Sequence, residues 1–305
     1  MSAKRSMMYR QKTKIRHTLK KHQKLQKITT ELYLKYCSLA GFLHTTPDYF
    51  IIGFPKCGTT SLHEYLGEHP DVYLPFGKEI DFFDRLYSRG LNWYKTSFPN
   101  IVQKSFVKNF QKKEFLTGEA TPRYIVHPHA VKRIHNTIPN GKFIILMRNP
   151  IDRAYSHYKM NLRNDYEYRS FEDALKFEKE RIDGRYEKMI KNENYYSWDY
   201  DLYAYLEHGK YYEKIKKWYS VFPKEQFLII QSENFQKNTS DVYKQVLKFL
   251  NLQEFELDEY RFFKKRNYKE NEKIDSQLRK QLVEYFKPSN EKLYKLIGEK
   301  FDWDR

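Results

Sequence analysis

The chain has 305 residues, of which 40% are hydrophobic, 17% aromatic and 31% charged, a composition typical of a folded protein and not of a disordered one. Its longest uninterrupted apolar runs, such as Phe143–Met147 and Phe227–Ile230, are far shorter than the roughly 18–20 residues of a membrane-spanning helix. Two cysteines, Cys37 and Cys57, exclude a disulfide-rich scaffold.

The formal net charge of +17 is concentrated at the N-terminus. Residues 1–27 hold ten Lys or Arg and no acidic residue, and the rest of the chain has 46 basic against 39 acidic residues. This distribution argues against a body that binds nucleic acid, and it is compatible with an anionic small molecule or an acidic polymer. No segment has the basic start, apolar middle and small-residue cleavage site of a secretory signal, so a cytoplasmic location is expected.

Residues 1–47 are predicted to form a basic extension followed by a helix. Apolar residues recur there at helical spacing, at Leu25, Ile28, Leu32, Tyr36 and Leu39. We expect this face to pack on the body, with a solvated extension before it. The alternative is a helix that binds a membrane surface or a polyanion. Gly41 and Pro47 mark the end of the region, which predicts a second domain over 48–305.

From residue 48, short apolar runs alternate with helical patterns, which favours an α/β fold with a mostly parallel sheet. The predicted strands are Tyr49–Ile52, Phe143–Met147 and Phe227–Ile230. The predicted helices are Thr60–Leu66, Phe171–Glu180, Tyr203–Phe222 and Ser240–Leu250, with a C-terminal helix that begins at the N-cap Asp275 and precedes Pro288.

The loop after the first strand, GFPKCGTTSL over 53–62, is the most informative segment. It joins a strand to a helix, where free amides and the helix dipole attract an anion. Gly58 permits close approach of a phosphate, and hydroxyl groups follow it at Thr59, Thr60 and Ser61. Cys57 is interpreted as a small residue that fits the turn.

The glycine spacing of this loop resembles that of a Walker A motif, but Thr59 stands where that motif requires lysine, and the lysine is Lys56 within the loop. The two later strands are followed by Arg148 and by Gln231, so neither supplies the aspartate that holds Mg²⁺ in nucleotide hydrolases. The loop therefore predicts a phosphate site that works without a metal.

The segment PKCGTTSL resembles the 5′-phosphosulfate loop of sulfotransferases that use 3′-phosphoadenosine 5′-phosphosulfate (PAPS). The later segment FIILMRNPIDRAYSHY, over 143–158, resembles the 3′-phosphate-binding element of the same family. By this resemblance Arg148 and Ser156 hold the 3′-phosphate, a role that suits a guanidinium and a hydroxyl. It implies a P-loop-like three-layer fold with a mostly parallel central sheet flanked by helices.

Two further motifs, KEIDFFD over 78–84 and GLNWY over 90–94, resemble the heparan-sulfate-type branch and bacterial, especially cyanobacterial, sulfotransferase domains. In that branch a glutamate is the general base, which carries over to Glu79. Heparan-type enzymes have a catalytic lysine where GEATPRY, over 118–124, has Ala120, and Arg123 is a candidate substitute.

A basic segment over 262–268 occupies the place of a loop that closes over the nucleotide in relatives. The resemblance implies contacts with the 3′-phosphate or adenine, and a solvated basic loop is the alternative. The candidate contact residues are Lys265, Arg266, Asn267 and Tyr268.

The resemblance covers about residues 48–304 and implies transfer of a sulfuryl group from PAPS, without a metal, to a hydroxyl or amine of a glycan or glycolipid. Glu79 would accept the proton, while Lys56 would stabilise the departing phosphate. A small-molecule acceptor remains open. The competing classes are a nucleoside-triphosphate phosphotransferase, a polyanion-binding protein without enzymatic activity, and a family member that binds PAPS without turnover. No nucleic-acid partner is expected, and peripheral membrane contact through the basic N-terminus stays open.

Overall fold

The computed structural model describes residues 23–261 and 274–303 of the chain. At its centre lies a parallel sheet of strands β1 (Tyr49–Ile51), β2 (Gly118–Ala120), β3 (Lys142–Met147) and β4 (Phe227–Gln231), in the order β2-β1-β3-β4. Every pairing is parallel, and Tyr49 of β1 lies opposite Gly118 on one side and Lys142 on the other. The predicted α/β fold with a mostly parallel sheet is confirmed.

The strand that sequence patterns did not reveal is β2. Its three residues, Gly-Glu-Ala, include neither a β-branched nor an aromatic side chain, so none of the usual strand signals is present. Its burial is complete all the same. The strand exists because its backbone pairs with β1, a tertiary interaction that a local pattern cannot show.

Fourteen α-helices surround the sheet within the described residues. In chain order they are α1 (Gln23–Ala40), α2 (Thr59–Glu68), α3 (Leu91–Lys95), α4 (Ile101–Asn109), α5 (Ala130–Thr137), α6 (Pro150–Arg163), α7 (Phe171–Lys176), α8 (Glu178–Ile182), α9 (Arg185–Lys191), α10 (Trp198–Tyr203), α11 (Tyr211–Tyr219), α12 (Ser232–Lys237), α13 (Thr239–Leu250) and α14 (Ser276–Ile297). Because β1 and nearly all of β3 are buried, helices must cover both faces of the sheet.

Several predicted helices are confirmed and two are wrong in extent. The predicted helix Tyr203–Phe222 is interrupted: Tyr203 ends α10, and only α11 lies wholly within the predicted range. A tight turn at Glu207–Gly209 precedes α11, and Gly209 lies so close to Phe286 that a β-carbon there would be 2.8 Å from its ring. The predicted helix Phe171–Glu180 breaks at Phe177 into α7 and α8.

The C-terminal helix begins as predicted, with the Asp275 carboxylate accepting hydrogen bonds from the amides of Gln277 and Leu278. It then continues through Pro288 to Ile297.

The N-terminal helix α1 is confirmed as a helix, but its predicted packing face is wrong. Leu32, Tyr36 and Leu39 are 62%, 59% and 66% exposed. The helix packs through a different side, where Cys37 is fully buried. Gly41, directly after the helix, approaches the backbone of Asn92 so closely that a β-carbon would be 2.3 Å from its oxygen. The contact is therefore made by Cys37, Gly41 and the partly buried Leu34, and not by the apolar stripe. The side chains of Leu25 and Ile28 lie outside the described part.

In the described part of the chain no helix has the length and apolar character needed to cross a membrane.

Candidate active site

The loop between β1 and α2 has the backbone geometry of an anion site. Lys56 and Gly58 have left-handed φ angles of 75° and 92°, and α2 begins immediately afterwards at Thr59. Gly58, the N-cap residue, has no side chain to occupy the first-turn amides. An uncapped helix N-terminus combines donor N–H groups with the positive end of the helix dipole. The predicted phosphate loop thus has a suitable shape.

Packing behind the loop fixes that shape. Gly53 lies against β3, where a β-carbon would be 2.4 Å from the nitrogen of Leu146. Ser232, at the start of α12, donates a hydrogen bond of 3.0 Å to the carbonyl of Cys57. The Cys57 side chain is fully buried, and burial raises the pKa of its thiol to about 12. Cys57 is therefore a packing residue whose only group available to a ligand is its backbone.

The hydroxyl residues of the loop differ in exposure. Thr59 and Ser61 are buried, at 5% and 1% exposure, whereas Thr60 is half-buried. Thr60 is consequently the hydroxyl with the best access to a bound phosphate.

Arg148 and Ser156 lie on the neighbouring strand and helix. Arg148 directly follows β3, and Ser156 lies on α6, which is capped by the side chain of Asn149 and has Pro150 at its first position. Since β1 and β3 are adjacent and parallel, the loop after β1 and Arg148 lie at the same edge of the sheet. The Arg148 charge is close enough to the Cys57 thiol to affect its pKa. The structure therefore brings the two predicted phosphate elements together.

The end of the chain supports this edge in a way that no local pattern indicated. Glu233 accepts a hydrogen bond of 2.8 Å from the amide of Asn149. The other oxygen of the same carboxylate accepts from the indole nitrogen of Trp303 at 3.4 Å, and the Trp303 carbonyl accepts from the Asn149 side chain. The turn that presents Arg148 is thus held by two segments distant in sequence.

Helix α6 also lies beside the lysine of the loop. The Nζ atom of Lys56 is 3.7 Å from the sulfur of Met160. His157, which is fully buried on the same helix, has a pKa well below its ordinary value because of burial and of the nearby charges of Arg153, Lys56 and Arg123. His63 on α2 is similarly buried, with its pKa lowered to about 4. Both histidines are uncharged at neutral pH.

Glu79 lies at the end of the outer strand β2. Its amide donates a hydrogen bond of 3.2 Å to the carbonyl of Ala120, and its φ is 59°, a left-handed conformation that a non-glycine residue adopts only under structural constraint. The carboxylate is 2.8 Å from Nζ of Lys78 and 3.7 Å from Nη2 of Arg123, and its side chain is 38% exposed. Glu79 is thus an accessible carboxylate at the same sheet edge as the phosphate loop.

Arg123 connects this carboxylate with three others. Its guanidinium nitrogens lie 2.9 Å from Asp81, 3.9 Å from Asp84 and 3.6 Å from Asp201. Burial raises the pKa of Asp84 to about 7, and it also raises the pKa of Asp201. Asp201 comes from α10 and was not recognised in the sequence, because nothing local distinguishes it from a surface aspartate.

A second buried carboxyl lies in β2 itself. Glu119 is fully buried, and the Tyr94 hydroxyl donates a hydrogen bond of 2.5 Å to it. Burial raises the pKa of Glu119 to about 7. The hydroxyl of Tyr124, which neighbours Glu119, accepts hydrogen bonds from the amides of Phe82 and Phe83 and so fixes the loop that carries Glu79.

Comparisons with known proteins identify the family to which this chain belongs. The family model described as "Sulfotransferase domain" matches residues 46–302. The chain belongs to the sulfotransferase family. It is 28% identical to the membrane-associated sulfotransferase kil1 of Dictyostelium discoideum, an alignment that covers 86% of this chain and 68% of that protein. It is also 28% identical to the mouse heparan sulfate glucosamine 3-O-sulfotransferase 6, over 85% of this chain and 74% of the other.

Among solved structures, a sulfotransferase from Alicyclobacillus acidocaldarius matches this sulfotransferase with a TM-score of 0.65 and 29% identity, covering 86% of this chain and all of that one. The chain is therefore a PAPS-dependent sulfotransferase, as its motifs implied.

The residues of this sulfotransferase fit a nucleotide that carries phosphate at two ends. The uncapped start of α2 and Lys56 form one site that can hold a phosphate. Arg148 and Ser156, after the adjacent strand β3 and on α6, form a second. The predicted nucleotide contacts Lys265, Arg266, Asn267 and Tyr268 lie outside the described residues. Within residues 23–261 and 274–303, no group of three or more His, Cys, Asp or Glu side chains is arranged to hold a metal ion.

Proposed function

We propose that this sulfotransferase acts on a hydroxyl or amine of a glycan or glycolipid, with Glu79 as the general base. The observation that carries the proposal is the position of the Glu79 carboxylate, exposed at the end of β2 one strand away from the phosphate loop. The glycan acceptor is supported by relatives such as the heparan sulfate glucosamine 3-O-sulfotransferases.

PAPS supplies an activated sulfuryl group attached to a phosphate that leaves. In this proposal Lys56 and the first-turn amides of α2 stabilise the charge that develops on that phosphate, because preorganised donors act most strongly where charge appears. Thr60, with Thr59 and Ser61 behind it, orients the 5′-phosphate. Arg148 and Ser156 hold the 3′-phosphate and thereby align the donor. Glu79 takes the proton from the acceptor.

The charges around Glu79 favour an acceptor whose sugar next to Glu79 carries no charge. Four carboxyl groups, those of Glu79, Asp81, Asp84 and Asp201, share the cationic side chains Lys78, Arg85 and Arg123. Such a near-neutral cluster offers no surplus of cations to a polyanion. Ala120, which replaces the catalytic lysine expected from the heparan-type motif, removes one more cation. We therefore infer a neutral sugar at this position.

The donor half of the proposal is tested by thermal unfolding with 3′,5′-adenosine bisphosphate and, separately, with ATP and Mg²⁺. A ligand at about 100 times its Kd adds roughly 2.7 kcal/mol to the free energy of unfolding, which raises the Tm by several degrees. We expect stabilisation by the bisphosphate alone. Stabilisation by Mg²⁺-ATP alone would instead indicate a phosphotransferase.

The base is tested with Glu79→Gln, assayed for sulfuryl transfer from PAPS to a panel of neutral and sulfated oligosaccharides. We expect turnover to fall by about 10²–10⁴, the usual contribution of a general base, while the bisphosphate still raises the Tm. The matched control is Glu172→Gln, an exposed carboxylate in an ion pair with Lys176. Turnover near the parent value in Glu79→Gln would remove Glu79 as the base, and a strict requirement for sulfated acceptors would contradict the neutral-sugar inference.

A further inference from the structure

Exposed apolar side chains are unevenly distributed over this sulfotransferase. Nineteen large hydrophobic residues are exposed in the described part of the chain, and ten of them lie in the two short segments 32–43 and 101–110. We call these ten the apolar face: Leu32, Tyr33, Tyr36, Leu39, Phe42, Leu43, Ile101, Val102, Phe106 and Phe110. Single exposed apolar residues are ordinary, but a concentration of this kind marks an interaction surface.

The helix α1 presents its stripe directly away from the protein. At 100° per residue, Leu32, Tyr36 and Leu39 lie within about 60° of one another, whereas Cys37, which contacts the body, lies about 100° or more from each of them. The contact is secured by hydrogen bonds, from Thr96 to the Cys37 sulfur at 3.4 Å and from Asn92 to the Ser38 carbonyl at 2.9 Å. The helix is thus anchored by one side and exposes an apolar stripe on the other.

The second segment, helix α4, joins the first without interruption. His44 and Asn100 form an antiparallel bridge, so the residues beside them, Leu43 and Ile101, are cross-strand neighbours. These two are 43% and 44% exposed. Further along α4, Phe106 and Phe110 stack on each other with ring centroids 5.6 Å apart while 51% and 77% exposed. The apolar face therefore continues from α1 across the bridge to α4.

Cationic residues accompany the apolar ones. Lys35 on α1 and Lys104, Lys108, Lys112 and Lys113 in and after α4 are the cations of these segments, of which Lys104 and Lys108 also contact Asp48 and Glu114 at 3.5 Å. The only acidic residue between 1 and 47 is Glu31, against ten Lys or Arg in residues 1–27. Apolar side chains beside many cations are the combination that binds an anionic lipid surface.

We propose that the apolar face and the lysines beside it bind the surface of an anionic lipid bilayer. A dissolved polyanion would need the cations but gives no reason to expose ten large apolar side chains, whereas these side chains reach about 5–10 Å into the boundary between headgroups and acyl chains. A second copy of the chain is disfavoured because each copy has a formal net charge of +17, and ten Lys or Arg lie in residues 1–27, just before the apolar face in the sequence. This proposal is independent of the acceptor assigned above.

The experiment is co-sedimentation of the full chain with vesicles of phosphatidylcholine, with and without phosphatidylserine. The test variants are Leu39→Ser with Phe42→Ser, and Phe106→Ser with Phe110→Ser. The control is Tyr166→Ser with Tyr168→Ser, two tyrosines that are 51% and 81% exposed and so match Phe106 and Phe110 closely. A charge variant replaces Lys35, Lys112 and Lys113 with Gln. Each variant is checked for an unchanged Tm increase with the bisphosphate.

We expect binding to the phosphatidylserine vesicles, reduced about tenfold or more in each test variant and in the charge variant, and unchanged in the control. Three results would overturn the proposal. One is no vesicle binding. Another is vesicle binding that only the charge variant loses, together with equal retention on heparin, which indicates a polyanion site. The third is a concentration-dependent dimer in sedimentation velocity that the test variants dissociate, which assigns the apolar face to a second copy.

Discussion

The two halves of the proposed active site are constructed differently. The donor half, formed by the loop after β1 and the turn after β3, is shaped by backbone conformation and buried packing, with left-handed residues at Lys56 and Gly58 and a tight approach of Gly53 to β3. The base half, formed by residues 78–84, 119–123 and Asp201, is held by ion pairs that converge on Arg123.

This difference predicts that the two halves respond differently to a change of pH. Backbone donors have no ionisation state to lose, so the donor half should be insensitive to pH near neutrality. The base half contains Asp84 and Glu119, both with a pKa raised to about 7 by burial, so its charge and stability should change within the physiological range. The variants below test that contrast.

Among the variants other than Glu79→Gln, the largest effect is expected at Lys56, the cation of the donor half. Lys56→Ala should lower kcat by about 10²–10³, or about 3–4 kcal/mol, because removing one preorganised donor from developing charge has an effect of that size. The affinity for the bisphosphate should fall as well, because the leaving phosphate carries its full charge in this product. Lys176→Ala, an exposed lysine paired with Glu172, is the control. A kcat within twofold of the parent value would contradict a role for Lys56 at the leaving phosphate.

The next effect concerns stability in the base half. Burial raises the pKa of Glu119 from 4.5 to about 7, so the folded protein holds this proton more tightly than the unfolded chain. The stabilisation associated with that proton is therefore present below about pH 4.5 and is lost as the pH rises through 7, by up to about 3 kcal/mol. Glu119→Gln keeps an acceptor for the Tyr94 hydroxyl and removes the ionisation.

We thus expect Glu119→Gln to be more stable than the parent at pH 8, and this advantage to shrink at pH 5. The measurement is urea denaturation at both pH values. Glu114→Gln, a change at an exposed carboxylate, serves as control. Parent and variant curves that differ by the same amount at pH 5 and pH 8 would show that Glu119 does not titrate in this range.

Much of the donor half is predictable from the sequence because its determinants are contiguous. The strand, the loop from Gly53 to Ser61 and the helix after it form one local unit, and Arg148 with Ser156 forms another. Glycine spacing, hydroxyl residues and a strand-to-helix junction report directly on backbone geometry. Because β1 and β3 are adjacent and parallel, the segments that follow them lie at the same edge of the sheet, so the two units meet there.

The base half shows where such reasoning ends. Asp201 lies more than a hundred residues from Glu79 and has no local signature, and β2 is formed only by pairing with β1. The apolar stripe of α1 was predicted to pack on the body. Helical periodicity indicates that one face of a helix is apolar, but it does not indicate whether that face is buried. Leu32, Tyr36 and Leu39 are exposed because the contact is made by Cys37, by the partly buried Leu34 and by Gly41, which allows the backbone of Asn92 to approach closely.

A smaller effect is expected for the second phosphate element. Arg148→Ala should weaken binding of the bisphosphate by about 10–100-fold, since a charged hydrogen bond contributes roughly 1.5–3 kcal/mol, and Ser156→Ala should weaken it by less. Turnover at saturating PAPS should change little, because this end of the nucleotide is remote from the transferred group. Titration calorimetry measures the affinity, with Arg163→Ala at the far end of α6 as control. Unchanged affinity in Arg148→Ala would place the 3′-phosphate elsewhere.

The smallest effect, and the one that most directly tests the base half, is expected for Arg123. We assign it as a positioning residue that holds the Glu79 loop through Asp81 and keeps the pKa of Asp84 from rising further. Arg123→Ala should lower kcat about tenfold, an amount equivalent to about 1.4 kcal/mol, with unchanged affinity for the bisphosphate. Arg123→Lys should recover part of the loss.

The pH dependence of kcat separates positioning from a purely structural role of Arg123. Removing the guanidinium withdraws the opposite charge that favours ionised Asp84, so the pKa of Asp84 should rise and the pH dependence of kcat should move to higher pH. A variant that is merely destabilised would lose activity equally at all pH values. A pH profile unchanged from the parent would mean that Arg123 only holds the fold, and that this sulfotransferase needs no cation to replace the lysine absent at Ala120.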